Sequence, residues 1–146
     1  MKRAALALLA LGGVCGVQAQ SAGQAVYDRS CAACHQPGGK GMAGLAPALA
    51  GTLGPLLAAD DGRRYLAQVL VHGLSGRIVT QGLGFTGVMP GQAALGDAEL
   101  AAVANYLARE LNDGTAAPYA AEEFARLRGE KVSHKDLRAV RERYVK

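Results

Sequence analysis

The amino-acid sequence predicts an all-α fold in which three to four short core helices surround one site, followed by a two-helix C-terminal extension. Apolar residues recur at helical spacing in several short segments, and almost no segment alternates apolar and polar residues as a half-buried strand does. The stretches between these segments are rich in glycine, of which the 146-residue chain has 20. Such stretches are typical of loops, so the chain is predicted to form short helices joined by long irregular connections.

Three helices are predicted in the first part of the chain after its N-terminal segment. The middle helix ends at Gly73, since glycine commonly follows the last turn of a helix. The last helix starts at Asp97, whose carboxylate can cap it. The predicted order is helix 23–34, loop 36–55, helix 62–72, loop 74–96 and helix 97–111.

Residues 112–146 are predicted to form a helical extension of two short amphipathic helices. The first follows Pro118 and covers 119–128, and the second starts at Ser133, which has the S-x-x-D form of a capping box with Asp136. We expect the apolar sides of both helices to pack against the preceding domain. In the alternative interpretation, the second helix docks on a partner protein.

A run of five residues, Cys31-Ala32-Ala33-Cys34-His35, lies at the end of the first predicted helix. It has the C-x-x-C-H form of the attachment site of a c-type haem. Two thiols three positions apart can both add to the vinyl groups of one haem, and the next residue is then held with an imidazole nitrogen aimed at the iron. The sequence therefore predicts one haem c, bound covalently through Cys31 and Cys34, with His35 as a metal ligand.

Three different kinds of site fit the same residues less well. A structural zinc site needs about four ligands, and the one further cysteine in the chain is Cys15. A thioredoxin-like redox pair lies beside a β-α-β pattern, and this chain shows almost no strand alternation. A plain structural disulfide is compatible with an oxidising compartment, but it gives no reason for His35.

The N-terminus has the pattern of a secretory signal peptide over residues 1–19. Two basic residues precede an apolar run, and short residues near its end predict cleavage after Ala19 and a periplasmic protein. Cys15 is compatible with a lipoprotein instead, but the residue before it is not small. An uncleaved anchor is the other alternative, although the run is shorter than the roughly 20 residues needed to span a membrane. The mature chain is therefore expected to contain no transmembrane segment.

Charge gives no indication of a nucleic-acid partner. The formal net charge is +4, but residues 20–111 carry six basic and six acidic side chains, and residues 112–146 carry eight basic and six acidic ones. A nucleic-acid interface needs Lys and Arg clustered on one face. We therefore expect no nucleic acid among the partners of this protein.

A methionine stands shortly before the last predicted helix, in the run Gly87-Val88-Met89-Pro90-Gly91. Together with the C-x-x-C-H motif near the mature N-terminus, it makes residues 23–111 resemble a class I cytochrome c, a small monohaem electron carrier. The resemblance implies the class I cytochrome c fold, with a haem domain over residues 20–111. It also implies that Met89 is the second axial ligand of the iron, in addition to His35.

The same resemblance implies a role for Pro47. In the family, a proline after the motif offers its backbone carbonyl to the other imidazole nitrogen, which fixes the ring and makes the ligand more basic. Tyr65 and Arg77 are candidates for contact with the haem propionates. Met42 is interpreted as loop filling, and His72 as a helix-end residue favoured by the helix dipole. Ligation by His72 would leave the Met-Pro pair unexplained.

The resemblance implies electron transfer and no catalytic activity. Ligation by His and Met fills both axial positions, and the thioether favours Fe(II). We expect a periplasmic one-electron carrier between a dehydrogenase or respiratory complex and an oxidase or reductase, with redox protein partners in the periplasm or at the membrane face. The alternatives are a dedicated cytochrome c subunit of a periplasmic oxidoreductase complex, and a ligand-binding haem enzyme or gas sensor with an open axial site. Because the haem domain is formally neutral, docking is expected through small apolar residues around the haem edge, namely Ala32, Ala33, Leu83, Val88 and Pro90.

Overall fold

The computed structural model describes residues 21–115 and 117–146, so the predicted signal peptide and Cys15 lie outside these ranges. The described chain is mostly helical, in agreement with the predicted fold class, but it also contains a two-stranded sheet that the sequence did not predict. No helix within the described ranges is long and apolar enough to cross a membrane. The elements are α1 Ala22–Ser30, α2 Ala32–His35, a 3₁₀ turn Pro37–Gly39, α3 Gly54–Leu57, α4 Asp60–His72, β1 Gly73–Thr80, β2 Leu83–Pro90, α5 Asp97–Arg109, α6 Ala121–Leu127 and α7 His134–Tyr144.

The helices α1 and α5 cross in close contact. A Cβ atom added at Gly23 would lie 2.2 Å from the backbone oxygen of Ala102 and 2.7 Å from the Cβ atom of Tyr106, so this approach requires glycine. Beside the crossing, the ring centroids of Tyr27 and Tyr106 lie 5.4 Å apart. The crossing therefore anchors the helix that leads into the cysteine motif on the core.

Several helix boundaries differ by one or two residues from the sequence-based prediction, and two differences, at Cys31 and at the start of α5, have a clear local cause. The predicted helix 23–34 is broken at Cys31, whose φ of −120° and ψ of −35° separate α1 from α2. The N-cap of α5 is Gly96, and the Glu99 carboxylate accepts a hydrogen bond of 2.9 Å from the Gly96 N–H. The capping predicted for Asp97 is therefore provided by Glu99, three residues after the cap, as in half of a capping box.

The prediction of a loop over residues 74–96 is wrong for most of that range, because β1 and β2 pair there as an antiparallel hairpin. Gln81 and Gly82 form its two-residue turn, and both have the positive φ that the favoured hairpin turns require. Glycine in the middle of both strands hides the alternation of apolar residues that indicates a strand. The register pairs Leu74 with Met89, Gly76 with Gly87 and Ile78 with Phe85.

The C-terminal extension packs back on the helical core, as predicted. Phe124 of α6 is fully buried, and Leu127, Leu137 and Val145 belong to the same buried cluster. Helix α7 contacts both α4 and β1, and the Ser133 hydroxyl caps its start by accepting a backbone hydrogen bond. The extension is therefore part of the hydrophobic core and also contacts the hairpin.

Candidate functional site

One cavity is lined by all five residues predicted for the haem site, Cys31, Cys34, His35, Pro47 and Met89. The volume of this cavity is about 220 Å³. Its walls come from α2, the loop over residues 36–53, α4 and the hairpin, and most of the remaining lining is apolar, including Leu49, Leu66, Val69, Leu70, Ile78 and Phe85. The fold thus brings together candidate site residues that are far apart in the sequence.

His35 is buried at the end of α2, and a backbone carbonyl fixes its ring. The Nδ1 atom lies 2.9 Å from the Pro47 oxygen. Because a carbonyl only accepts hydrogen bonds, Nδ1 carries the proton and donates it, which leaves the lone pair of Nε2 available to a metal. Burial lowers the pKa of His35, and the hydrogen bond to Pro47 opposes that shift. The imidazole is therefore held in the neutral form that binds metal ions.

A tight turn positions the Pro47 carbonyl. Met42 and Ala46 exchange two backbone hydrogen bonds across this turn. Gly41, just before it, has a φ of +71°, and a Cβ atom added there would lie 2.4 Å from the backbone nitrogen of Ala48. Glycine is required at this position both by the left-handed backbone and by the close approach of the Pro47 segment.

Asn112 holds the far end of the same loop, a role that sequence reasoning missed. Its Oδ1 accepts a hydrogen bond of 2.8 Å from the Leu53 N–H, and its Nδ2 donates to the carbonyls of Leu49 and Leu107 at 2.9 and 2.8 Å. The side chain therefore ties the loop to the C-terminal end of α5. No motif marks this residue, because its partners are backbone atoms and two of them lie far away in the sequence.

Both cysteines line the cavity, and no disulfide joins them. Cys31 is half-buried and Cys34 is exposed. In the chain before haem attachment, burial, with a contribution from Cys34, raises the pKa of Cys31 to about 11, so this group is then a protonated thiol at neutral pH. Two thiols from one stretch of helix thus reach the cavity that His35 also lines, which suits covalent attachment of a single macrocycle.

Met89 lies on β2 and is half-buried against the core. It lines the cavity with His35, whereas the competing ligand candidates Met42 and His72 do not. Met42 is 46% exposed, and Nε2 of His72 lies 2.9 Å from the Leu127 carbonyl oxygen in α6. The cavity therefore combines one imidazole with one thioether.

Polar side chains on the cavity wall include Tyr65 and Arg141. Tyr65 was one of two candidates for contact with the propionates, whereas the other, Arg77, is exposed and does not line the cavity. Arg141 belongs to α7. Sequence reasoning missed it, because nothing local distinguishes it from the other basic residues of the extension.

The model of the cytochrome c family matches residues 20–109, a span that contains the five predicted site residues. This chain belongs to the cytochrome c family. Two relatives, each named cytochrome c-552 and each from Thermus thermophilus, are similar over most of their length. One is 40% identical over 147 aligned residues, covering 98% of this chain and 97% of the relative. The other is 39% identical over 128 residues, covering 85% of this chain and 97% of the relative.

As a cytochrome c, the chain carries one covalently bound haem c and transfers electrons. The cavity fits this group, because it offers two thiols, an imidazole with a free lone pair, a thioether and largely apolar walls. Gly87 also lines the cavity, and a Cβ atom added there would meet no described atom within 4 Å, whereas one added at its partner Gly76 would lie 2.6 Å from the Arg138 guanidinium. The cavity wall is therefore uncrowded at Gly87. When bound, the haem supplies an iron that changes between Fe(II) and Fe(III).

Proposed function

We propose that this cytochrome c is a periplasmic one-electron carrier whose haem is attached through Cys31 and Cys34 and whose iron is ligated by His35 and Met89. The observation that carries the proposal is the single cavity that combines the C-x-x-C-H motif with one thioether. The Pro47 carbonyl supports it, because its hydrogen bond favours the His35 tautomer with a free Nε2. The residues of this chain thus bind the macrocycle, orient the imidazole and fill both axial positions.

Two protein ligands on the iron favour electron transfer over substrate chemistry. A neutral thioether stabilises Fe(II) relative to harder or anionic donors and raises the reduction potential. If His35 and Met89 both bind the iron, no coordination site would be open to oxygen, peroxide or small anions. Held by His35 and Met89, the iron would keep the same two protein ligands in both oxidation states, which suits a carrier.

Two features support the proposed location and partners, namely the N-terminal sequence and the exposed apolar residues of the hairpin. Residues 1–19 have the pattern of an export signal. Leu83 and Val88, 53% and 76% exposed, place apolar surface on the hairpin that carries Met89, and such surface suits short-lived contact with another protein. We infer redox protein partners in the periplasm or at the membrane face. Recovery in a fixed ratio with a periplasmic oxidoreductase would indicate a dedicated subunit, and recovery alone from the periplasm would indicate a free carrier.

Replacement of Met89 tests the ligand assignment. We expect the oxidised wild-type protein to show the far-red absorption band of a sulfur-to-iron bond. M89A should lose this band completely, because alanine offers no donor atom. Reduced M89A should also bind carbon monoxide at neutral pH, whereas the reduced wild-type protein should not. Absorption spectra with and without carbon monoxide measure both effects.

M42A is the matched control, because Met42 is exposed outside the cavity. This variant should keep the far-red band and remain unreactive towards carbon monoxide. A wild-type protein without the band would contradict the assignment of Met89. Tight binding of carbon monoxide by the wild-type protein would instead support a haem enzyme or gas sensor with an open axial site.

A further inference from the structure

Arg141 is a buried cation in the haem cavity, and the proposed function gives it no role. It lies on α7, is 3% exposed and lines the cavity. Its Nη2 donates a hydrogen bond to the Thr80 hydroxyl, whereas its Nε has no hydrogen-bond partner in the part of the chain that the structure describes. Buried polar atoms are nearly always paired, so an unpaired one on a cavity wall points to a group that binds there.

Among the described residues, the guanidinium also has no counter-charge. It stays protonated in proteins, and within residues 21–115 and 117–146 the ion pairs join other residues. The nearby Tyr65 provides no negative charge, because burial raises the pKa of its phenol, although Arg141 opposes that shift. An unpaired buried charge strongly destabilises a folded protein. An anion is therefore expected beside Arg141 in the native protein.

The haem itself brings two carboxylates, its propionates, into a cavity whose lining is otherwise mostly apolar. A guanidinium binds a carboxylate through planar, paired hydrogen bonds, and the free Nε of Arg141 is one of the donors needed. We propose that Arg141 binds a haem propionate, so that α7 of the C-terminal extension is fastened to the cofactor. The proposal rests on haem occupying this cavity and does not depend on which residue is the second axial ligand.

A cation held in the haem cavity has a measurable effect on the redox equilibrium. Positive charge in a site of low dielectric constant favours the less positive Fe(II) state. Loss of Arg141 should therefore shift the equilibrium about tenfold towards Fe(III), which corresponds to a reduction potential lower by about 59 mV. The carboxylate stretching bands of the propionates should also move, because they lose their paired hydrogen bonds.

The test compares three full-length holoprotein variants, R141M, K135M and T80V. K135M removes an exposed cation of the same helix, and T80V removes the hydroxyl that Arg141 contacts. The reduction potential at neutral pH and the propionate bands in infrared redox difference spectra are measured for each. We expect R141M to lower the potential and move the bands, and the other two variants to leave both at their wild-type values.

R141M with wild-type bands and potential would overturn the proposal. A T80V variant that reproduces both changes would also overturn it, because Arg141 would then act only by holding α7 against β1. If R141M does not accumulate with haem, R141K replaces it. Lysine keeps the charge but not the paired hydrogen bonds, so a near-normal potential with shifted bands supports the proposal and unchanged bands overturn it. The far-red band is recorded for every variant, so that failure of the Met89 assignment is seen separately.

Discussion

The two walls of the haem cavity are held in place by different parts of the chain. We call α2 with the loop over residues 36–53 the His35 wall, and β1 with β2 the hairpin wall. Backbone hydrogen bonds in the His35 wall join residues close in the sequence, such as Gly41 to His35, Met42 to Ala46 and Leu49 to Gly39. Its end is tied to α5 through Asn112. Most of this wall is therefore organised by its own sequence neighbourhood.

The hairpin wall depends on the C-terminal extension. Beyond the ladder between its strands, Ser75 of β1 contacts α7 twice, since its Oγ lies 2.9 Å from Nδ1 of His134 and its carbonyl accepts a hydrogen bond from Arg138. At the hairpin turn, the Gln81 N–H donates to the Lys146 carbonyl. The wall that carries Met89 is thus supported by a segment outside the span matched to the family. This difference predicts that the position of Met89 depends on the extension, whereas the position of His35 does not.

Deletion of residues 133–146, which include α7, should produce the largest effect. It removes Leu137 and Val145 from the core, and truncation of a single buried leucine typically lowers the free energy of unfolding by about 2–5 kcal/mol. We expect a lower melting temperature and loss of the far-red band, because the hairpin loses its support, while the haem stays covalently attached. Thermal unfolding and absorption spectra of the oxidised protein measure these outcomes.

L83A is a control for changes in the hairpin itself, because Leu83 is 53% exposed and does not line the haem cavity. It should change the free energy of unfolding by no more than about 0.5 kcal/mol and keep the far-red band. A deletion that slowed electron transfer to a redox partner without changing the melting temperature or the band would show that α7 is a docking helix. The prediction that the position of Met89 depends on the extension would then be wrong.

G41A should produce a smaller effect, confined to the His35 wall. The added Cβ atom would lie 2.4 Å from the Ala48 nitrogen and 2.6 Å from the Pro47 carbonyl carbon, so the loop must move and the hydrogen bond from His35 to Pro47 must weaken. A weaker hydrogen bond makes the imidazole a poorer donor to Fe(III). We therefore expect a higher reduction potential with the far-red band retained, which a redox titration followed by absorption measures.

G44A is the matched control for this substitution. Gly44 also has a positive φ, of +78°, but a Cβ atom added there would meet no atom within 4 Å. G44A therefore carries the backbone strain without the steric contact, and we expect it to lower the free energy of unfolding by about 1 kcal/mol at an unchanged potential. Equal reduction potentials in the two variants would mean that the hydrogen bond to the Pro47 carbonyl does not change the donor strength of the His35 imidazole.

The same difference between the walls accounts for what the sequence could predict. Cys31, Cys34 and His35 form a contiguous motif, so the roles proposed for them could be predicted locally, and the role proposed for Met89 could be predicted from the family resemblance and its place before the last helix. The strands around Met89 could not be predicted, because glycines interrupt their apolar alternation. The place of Arg141 on the cavity wall could not be predicted either, because its neighbours there lie far away in the sequence and no local pattern marks it.

Replacement of Asp61 should produce the smallest effect, at the contact between α4 and α7. Its carboxylate accepts a hydrogen bond of 2.8 Å from the Tyr144 hydroxyl and pairs with Arg143, and these contacts hold the pKa of Asp61 below its usual range. Because the folded-state pKa is the lower one, the stabilisation is present at neutral pH and is lost as the pH falls below about 4. Unfolding measured at neutral and acid pH should therefore show a smaller acid-induced loss of stability in D61N.

Glu130 provides the control, because it forms a comparable exposed pair with Arg64 away from α7. Desolvation opposes the shift, but hydrogen bonds from Arg64 and Gln68 lower the pKa of Glu130. E130Q should therefore reduce the acid sensitivity in the same direction while the hairpin amides stay as protected from hydrogen exchange as in the wild-type protein. D61N loosens α7 and should speed exchange of those amides at neutral pH. Equal exchange in the two variants would mean that the Asp61 contact does not transmit support from α7 to the hairpin wall.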